Sequence, residues 1–160
     1  MEQYYKRVFA KKQEYKGTIF NSTLERDFAM FLDGKIIRHK GINYYHKPIK
    51  WEYETKSFEL IPQEQWIDKT EQDKTVKTIL RNKKHTLPQI IYTPDFYLPE
   101  YDLLVETKGF QFDDALFRLR FRLFKHKYPN AKIWKVTSHT EFDKIDEILE
   151  NLKIEADNRK

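Results

Sequence analysis

The stretch that most constrains this chain is Tyr92-Thr93-Pro94-Asp95-Phe96-Tyr97-Leu98-Pro99-Glu100-Tyr101-Asp102-Leu103-Leu104-Val105-Glu106-Thr107-Lys108-Gly109. Its composition predicts a β-hairpin: an aromatic-rich strand from Tyr92 to Leu98, a turn at Pro99 and Glu100, and an apolar strand returning from Asp102 to Lys108. Strand side chains alternate between faces, so Glu106 and Lys108 project one way and Val105 and Thr107 the other. If Asp95 faces the same way as Glu106, two carboxylates and a lysine converge at the end of the hairpin. That set suits a divalent metal ion with a fixed cation beside it.

The remaining sequence supplies a frame and a charge pattern. At 160 residues, the chain is expected to form one α/β domain, 1–160, with a modest core. Aromatics are plentiful (12 Phe, 10 Tyr, 3 Trp) and glycines few (4), which argues for a packed interior and against low complexity. The net charge of +5 is unevenly spread: Lys74 to Pro94 holds five Lys or Arg and no acid, and Ala115 to Thr140 holds seven and none. Basic blocks of this kind attract polyanions, nucleic acid above all. Without cysteine there is neither a disulfide nor a thiolate zinc site. No signal peptide and no apolar span is legible, so a cytoplasmic protein with no membrane partner is expected.

Taken in order, residues 1–14 read as a basic, aromatic arm. Thr18 to Phe20 reads as a short strand. Ser22-Thr23-Leu24-Glu25 is a capping box, in which the Ser22 hydroxyl takes the Glu25 amide and the Glu25 side chain reaches back to the Ser22 amide. It predicts a helix from Thr23 to Leu32, stopped by Asp33-Gly34. Lys35 to Lys50 reads as a connection. Trp51 to Ile61 alternates as one strand, with Glu52 and Glu54 either near a metal or simply on an exposed polar face. Residues 62–88 read as a break followed by a helical insertion, with Lys74, Lys77, Arg81 and Lys84 near three-and-four spacing. A helix is predicted from Asp113 to Tyr128. Phe117, Phe121, Phe124 and Tyr128 form its core face, Leu116, Leu119 and Leu123 a second covered arc, and Arg118, Arg122 and Lys125 its outer face. Arg120 and Lys127 fall between the two arcs and suit snorkelling towards phosphate. Ala131 to Val136 reads as a strand parallel to the core strands, and Thr140 as the cap of a last helix with an acidic outer face.

Pro94-Asp95, the ten residues that follow and Glu106-Thr107-Lys108 resemble the PD-(D/E)xK nuclease signature. Phe58 to Gln63, Tyr92 to Leu98, Val105 to Gly109 and Leu119 to Pro129 extend the likeness to small phage-encoded endonucleases related to Holliday-junction resolvases. The likeness covers about residues 15 to 136, apart from an insertion around 37 to 52. It implies a restriction-endonuclease-like three-layer core with a mixed central sheet, in an endodeoxyribonuclease dependent on Mg²⁺ or Mn²⁺. Asp95 and Glu106 would be metal ligands, the Thr107 carbonyl a further oxygen ligand, and Glu25 either a member of the same shell or a helix cap alone. Lys108 would orient water or stabilise charge on phosphorus. Oxygen ligands without cysteine suit these hard ions and not zinc. The expected partner is DNA, with branched DNA suggested by the likeness alone, and Arg118, Arg120, Arg122, Lys125, Lys127, Lys74, Lys77, Arg81 and Lys84 are its candidate contacts. A homodimer stays open, as do two alternatives: an inactive DNA-binding or recombination-accessory protein, and a sequence-specific restriction-type endonuclease.

Overall fold

In the computed structural model, which describes residues 11–67, 84–109 and 115–158, Gln13–Tyr15 (β1) and Thr18–Phe20 (β2) pair antiparallel. Ser22, in extended backbone, then caps Thr23–Leu32 (α1), the span predicted from the sequence. Leu24, Phe28, Phe31 and Leu32 recur at helical spacing on α1 and are all buried. The helix ends at Asp33, and Gly34 follows at φ 75°. A Cβ on Gly34 would stand 2.8 Å from the Pro48 ring, so conformation and space both demand glycine there.

Ile37–His39 (β3) and Ile42–Tyr44 (β4) make a hairpin in the segment predicted to be a plain connection. Its two-residue turn, Lys40 and Gly41, has both φ angles positive (49° and 81°), the twist that matches the flanking strands. Strands of three residues are too short for their alternation to be read. Glu52–Tyr53 (β5) and Phe58–Ile61 (β6) replace the single strand predicted from Trp51 to Ile61. The break follows Glu54, a non-glycine residue at φ 51° that leaves extended backbone.

Glu64–Ile67 (β7) and Lys84–Leu87 (β8) are antiparallel partners, so both described ends of the predicted helical insertion, 62–88, are strands. Lys74, Lys77 and Arg81 lie outside the described residues. Next come Ile90–Tyr92 (β9), Phe96–Leu98 (β10), a 3₁₀ turn at Pro99–Tyr101 and Leu103–Thr107 (β11). Ala115–Lys127 (α2), Ile133–Val136 (β12), a 3₁₀ turn at His139–Lys144 and Ile145–Asp157 (α3) complete the order. The last helical stretch is entered through Ser138, the N-cap of that turn, and not through Thr140.

The chain divides into two compact units. The first comprises Met1–Lys56, Pro94–Asp113 and Asn130–Lys160. It holds a mixed four-stranded sheet ordered β12-β11-β10-β5, with β11 parallel to β12 as predicted and antiparallel to β10. Phe20, Phe28, Phe31, Phe96, Val105, Val136 and Phe142 are among the side chains of its core. Edge-on ring contacts join Phe28 of α1 to Phe96 of the sheet at 5.2 Å and to Phe142 of the 3₁₀ turn at 5.3 Å. All five β11 residues are buried, as befits an inner strand read as a near-continuous apolar run.

The second unit comprises Ser57–Thr93 and Asp114–Pro129. It carries the β6–β9 and β7–β8 pairs and α2. Phe58, Tyr92, Phe124 and Tyr128 pack together at its centre in edge-on and tilted ring contacts. Leu116 and Leu119, predicted to be covered, are 57% and 55% exposed. One aromatic face is enough to seat α2 on the two-stranded β6–β9 pair, which offers too little surface to cover a second. The architecture is therefore α/β, with a mixed sheet and three α-helices among the described residues. None of those helices is long and apolar enough to cross a membrane.

Candidate functional site

The hairpin register pairs Phe96 with Val105, Tyr97 with Leu104 and Leu98 with Leu103. Carried one residue further, it sets Asp95 across from Glu106, both at the end of the hairpin away from the 3₁₀ turn. The Asp95 carbonyl accepts from the Glu54 amide at 2.8 Å, which ties this end of the hairpin to the segment just after β5. Lys108 continues beyond β11, its amide donating to the Val136 carbonyl at 2.7 Å.

Asp95 Oδ2 accepts two hydrogen bonds from one residue, the Thr107 amide and the Thr107 hydroxyl, each at 2.7 Å. Simple alternation turns Thr107 away from Glu106, yet its hydroxyl reaches the same carboxylate as its own backbone. Glu106 and Thr107 are 6% and 4% exposed. Burial, and then the nearby negative charges of Glu106 and Glu25, push the Asp95 carboxyl up to about 8, against the opposing pull of the two Thr107 bonds.

Glu25 opens α1 and is also buried. The capping box forms, with the Ser22 hydroxyl accepting from the Glu25 amide at 3.1 Å, but the return bond differs from the expected one. Glu25 Oε2 accepts from the amide of Asn21, one residue earlier than Ser22, at 2.9 Å. The reason is that Oε1 is taken by the Ser22 hydroxyl at 2.9 Å, while the Tyr53 phenol donates to Oε2 at 2.8 Å. Both oxygens of Glu25 are thus held by the protein. Burial and this bond to Glu25 raise the Tyr53 hydroxyl above its ordinary value, so it remains a donor at any ordinary pH.

These side chains line one cleft of about 260 Å³: Glu25, Asp95, Glu106, Thr107 and Lys108, with Asn21, Ser22, Leu24 and Gly109 around them. Asp95, Glu106, Thr107, Lys108 and Glu25, named from the sequence as catalytic or metal-binding, are therefore gathered in the first unit at one place, whereas Glu52 and Glu54 are not among the residues lining the cleft. Tyr53 and Asn21, which fix Glu25, were not legible as site residues. Tyr53 signals only an inward-facing position on an alternating strand, and Asn21 only the end of one.

Among the described residues, no group of three or more His, Cys, Asp or Glu side chains is arranged to hold a metal ion. Magnesium, however, commonly takes one or two carboxylates and keeps several waters. Asp95 and Glu106 meet that smaller requirement in donor chemistry. A cation would also relieve the crowding of buried carboxylates that favours the protonated form of Asp95.

The candidate DNA contacts belong to the second unit. Arg118, Arg120, Arg122, Lys125 and Lys127 are all exposed on α2, which carries no acidic side chain. Lys127 lies 3.6 Å from Glu59. Lys84 opens β8. Comparison with protein-family models, with curated proteins and with solved structures finds no match for this chain.

Proposed function

We propose that this chain is a Mg²⁺- or Mn²⁺-dependent endodeoxyribonuclease of the PD-(D/E)xK kind, with a restriction-endonuclease-like core, acting on branched or junction DNA. The observation that carries the reading is the gathering of Asp95, Glu106, Glu25 and Lys108 around one cleft. A structural ion pair needs one carboxylate; several buried ones beside a lysine are costly unless a cation joins them.

In this reading Asp95 and Glu106 hold the cation, the Thr107 carbonyl adds an oxygen, and Glu25 contributes fixed negative charge from the start of α1. When bound, the cation supplies Lewis-acid stabilisation of the phosphoryl group and lowers the pKa of a water molecule. Lys108 brings an ammonium to the same cleft, where it can orient the attacking water or offset charge growing on phosphorus. Likeness to the superfamily implies a 5′-phosphate product. The basic side chains of α2 would bind the DNA backbone without reading sequence.

The test is cleavage of linear, supercoiled and four-way-junction DNA with Mg²⁺ or Mn²⁺, using Asp95→Ala as control. Cleavage that favours the junction and vanishes in the variant is expected, with DNA binding retained. Equal cleavage by the variant across a metal titration would refute the site, and binding without cleavage by the unaltered protein would favour the accessory-protein alternative.

A further inference from the structure

We propose that Thr107 is a positioning residue, whose hydroxyl and amide together pin Asp95 through Oδ2 so that Oδ1 is the oxygen presented to a divalent cation. The inference rests on the cation-site reading above and concerns which atom of Asp95 serves it. The Thr107 amide at 2.7 Å and the Thr107 hydroxyl at 2.7 Å both donate to the same oxygen of the carboxylate. A carboxylate held by one donor can swing about that bond. One held by two donors from a buried, strand-borne residue has its plane set before any ligand arrives. Thr107 is well suited to this. It is 4% exposed, it sits in β11 paired with Val136 of β12, and its β-branched side chain has restricted rotamers.

The choice of oxygen follows from hydrogen-bond capacity. Oδ2 already takes two donors, and a metal bond there would compete with both. Oδ1 takes neither, and Asp95 lines the cleft shared with Glu106. Monodentate ligation through Oδ1 lets the Thr107 bonds persist in the loaded site, which is the usual way an outer hydrogen bond orients a metal ligand.

Calorimetric titration with Mn²⁺ alone, at one fixed pH and without nucleic acid, tests this on Thr107→Val, which keeps shape and loses the hydroxyl, and on Thr107→Ser, which keeps the hydroxyl. Affinity should fall about tenfold or more in the valine variant, as expected when a hydrogen bond to a charged group is lost. The serine variant should recover most of it, which a packing role would not explain. Equal Mn²⁺ affinity in the valine variant and the unaltered protein overturns the positioning role while leaving the cation site standing. Absence of saturable Mn²⁺ binding by the unaltered protein overturns the cation site itself, and the oxygen assignment with it. Should the valine variant not fold, hydrogen exchange of the Thr107 amide in the unaltered protein decides the matter. Protection that survives saturation with Mg²⁺ supports retention of Oδ2 by Thr107, and protection lost on adding Mg²⁺ overturns it.

Discussion

The Tyr53 phenol and the Asn21 amide converge on one oxygen of Glu25, at 2.8 Å and 2.9 Å. Removing the phenol leaves a buried carboxylate short of a donor, so Tyr53→Phe should cost about 1–3 kcal/mol in urea unfolding. Glu25→Gln separates the cap from the charge. Its amide oxygen can still accept from Tyr53 and Asn21, and its N–H can meet the Ser22 hydroxyl, so the melting temperature should move little. If Glu25 serves the proposed cation site, single-turnover cleavage should nevertheless fall about tenfold, equivalent to ~1.4 kcal/mol of barrier. Unchanged turnover would leave Glu25 as a helix cap alone.

Asp95 predicts a pH dependence with a definite sign. Its folded value, about 8, lies above the ordinary 3.8, so between those limits the folded chain binds more protons than the unfolded one. Metal-free stability from this group is therefore fully present below the lower limit and is lost as pH rises through the upper one. Asp95→Asn, whose carbonyl can still accept from Thr107, should flatten the dependence in denaturant midpoints. Saturating Mg²⁺ should oppose the loss, because the cation binds the ionised form and binding tightens with pH. A metal-free stability that rises across this interval, relative to Asp95→Asn, would contradict the assignment.

Arg118 and Arg122 are both exposed on α2, where phosphate can reach them. Changing both to Gln should reduce the slope of log affinity against log salt by up to about 2 units, at ~0.9 per phosphate contact. The weakening should be equal on two unrelated duplexes, since backbone contacts carry no base information. Salt titrations of the double variant check this; an unaltered slope would remove α2 from the DNA surface.

The two faces of α2 should respond oppositely to mutation. Leu119 is 55% exposed, whereas Phe124 is fully buried among Phe58, Tyr92 and Tyr128. Leu119→Lys should change stability by no more than about 0.5 kcal/mol. Phe124→Ala should cost about 3–5 kcal/mol. Thermal and denaturant unfolding of the two variants decides whether the leucine arc is covered.

Local chemistry determined the returning strand of the hairpin, the span of α1 and the parallel entry of β12, because alternation, capping and crossover handedness act over short stretches of chain; the first strand, expected from Tyr92 to Leu98, instead divides into β9, which pairs with β6, and β10. Strand alternation set Glu106 and Lys108 on one face, with Asp95 joining them on the condition that it faced the same way; the capping box marked Glu25 only as the start of α1, and its place in a metal shell came from the likeness to the nuclease signature. Only the tertiary structure decided how those groups are held. Tyr53 lies 28 residues from Glu25, and Thr107 lies 12 from Asp95, so neither hydrogen bond leaves a trace in sequence spacing. The β7–β8 pair, the exposed leucines of α2 and the break after Glu54 have the same origin. Each depends on which surfaces meet when the chain collapses, and burial against a distant partner overrides local preference whenever the segment is too short to insist on its own period.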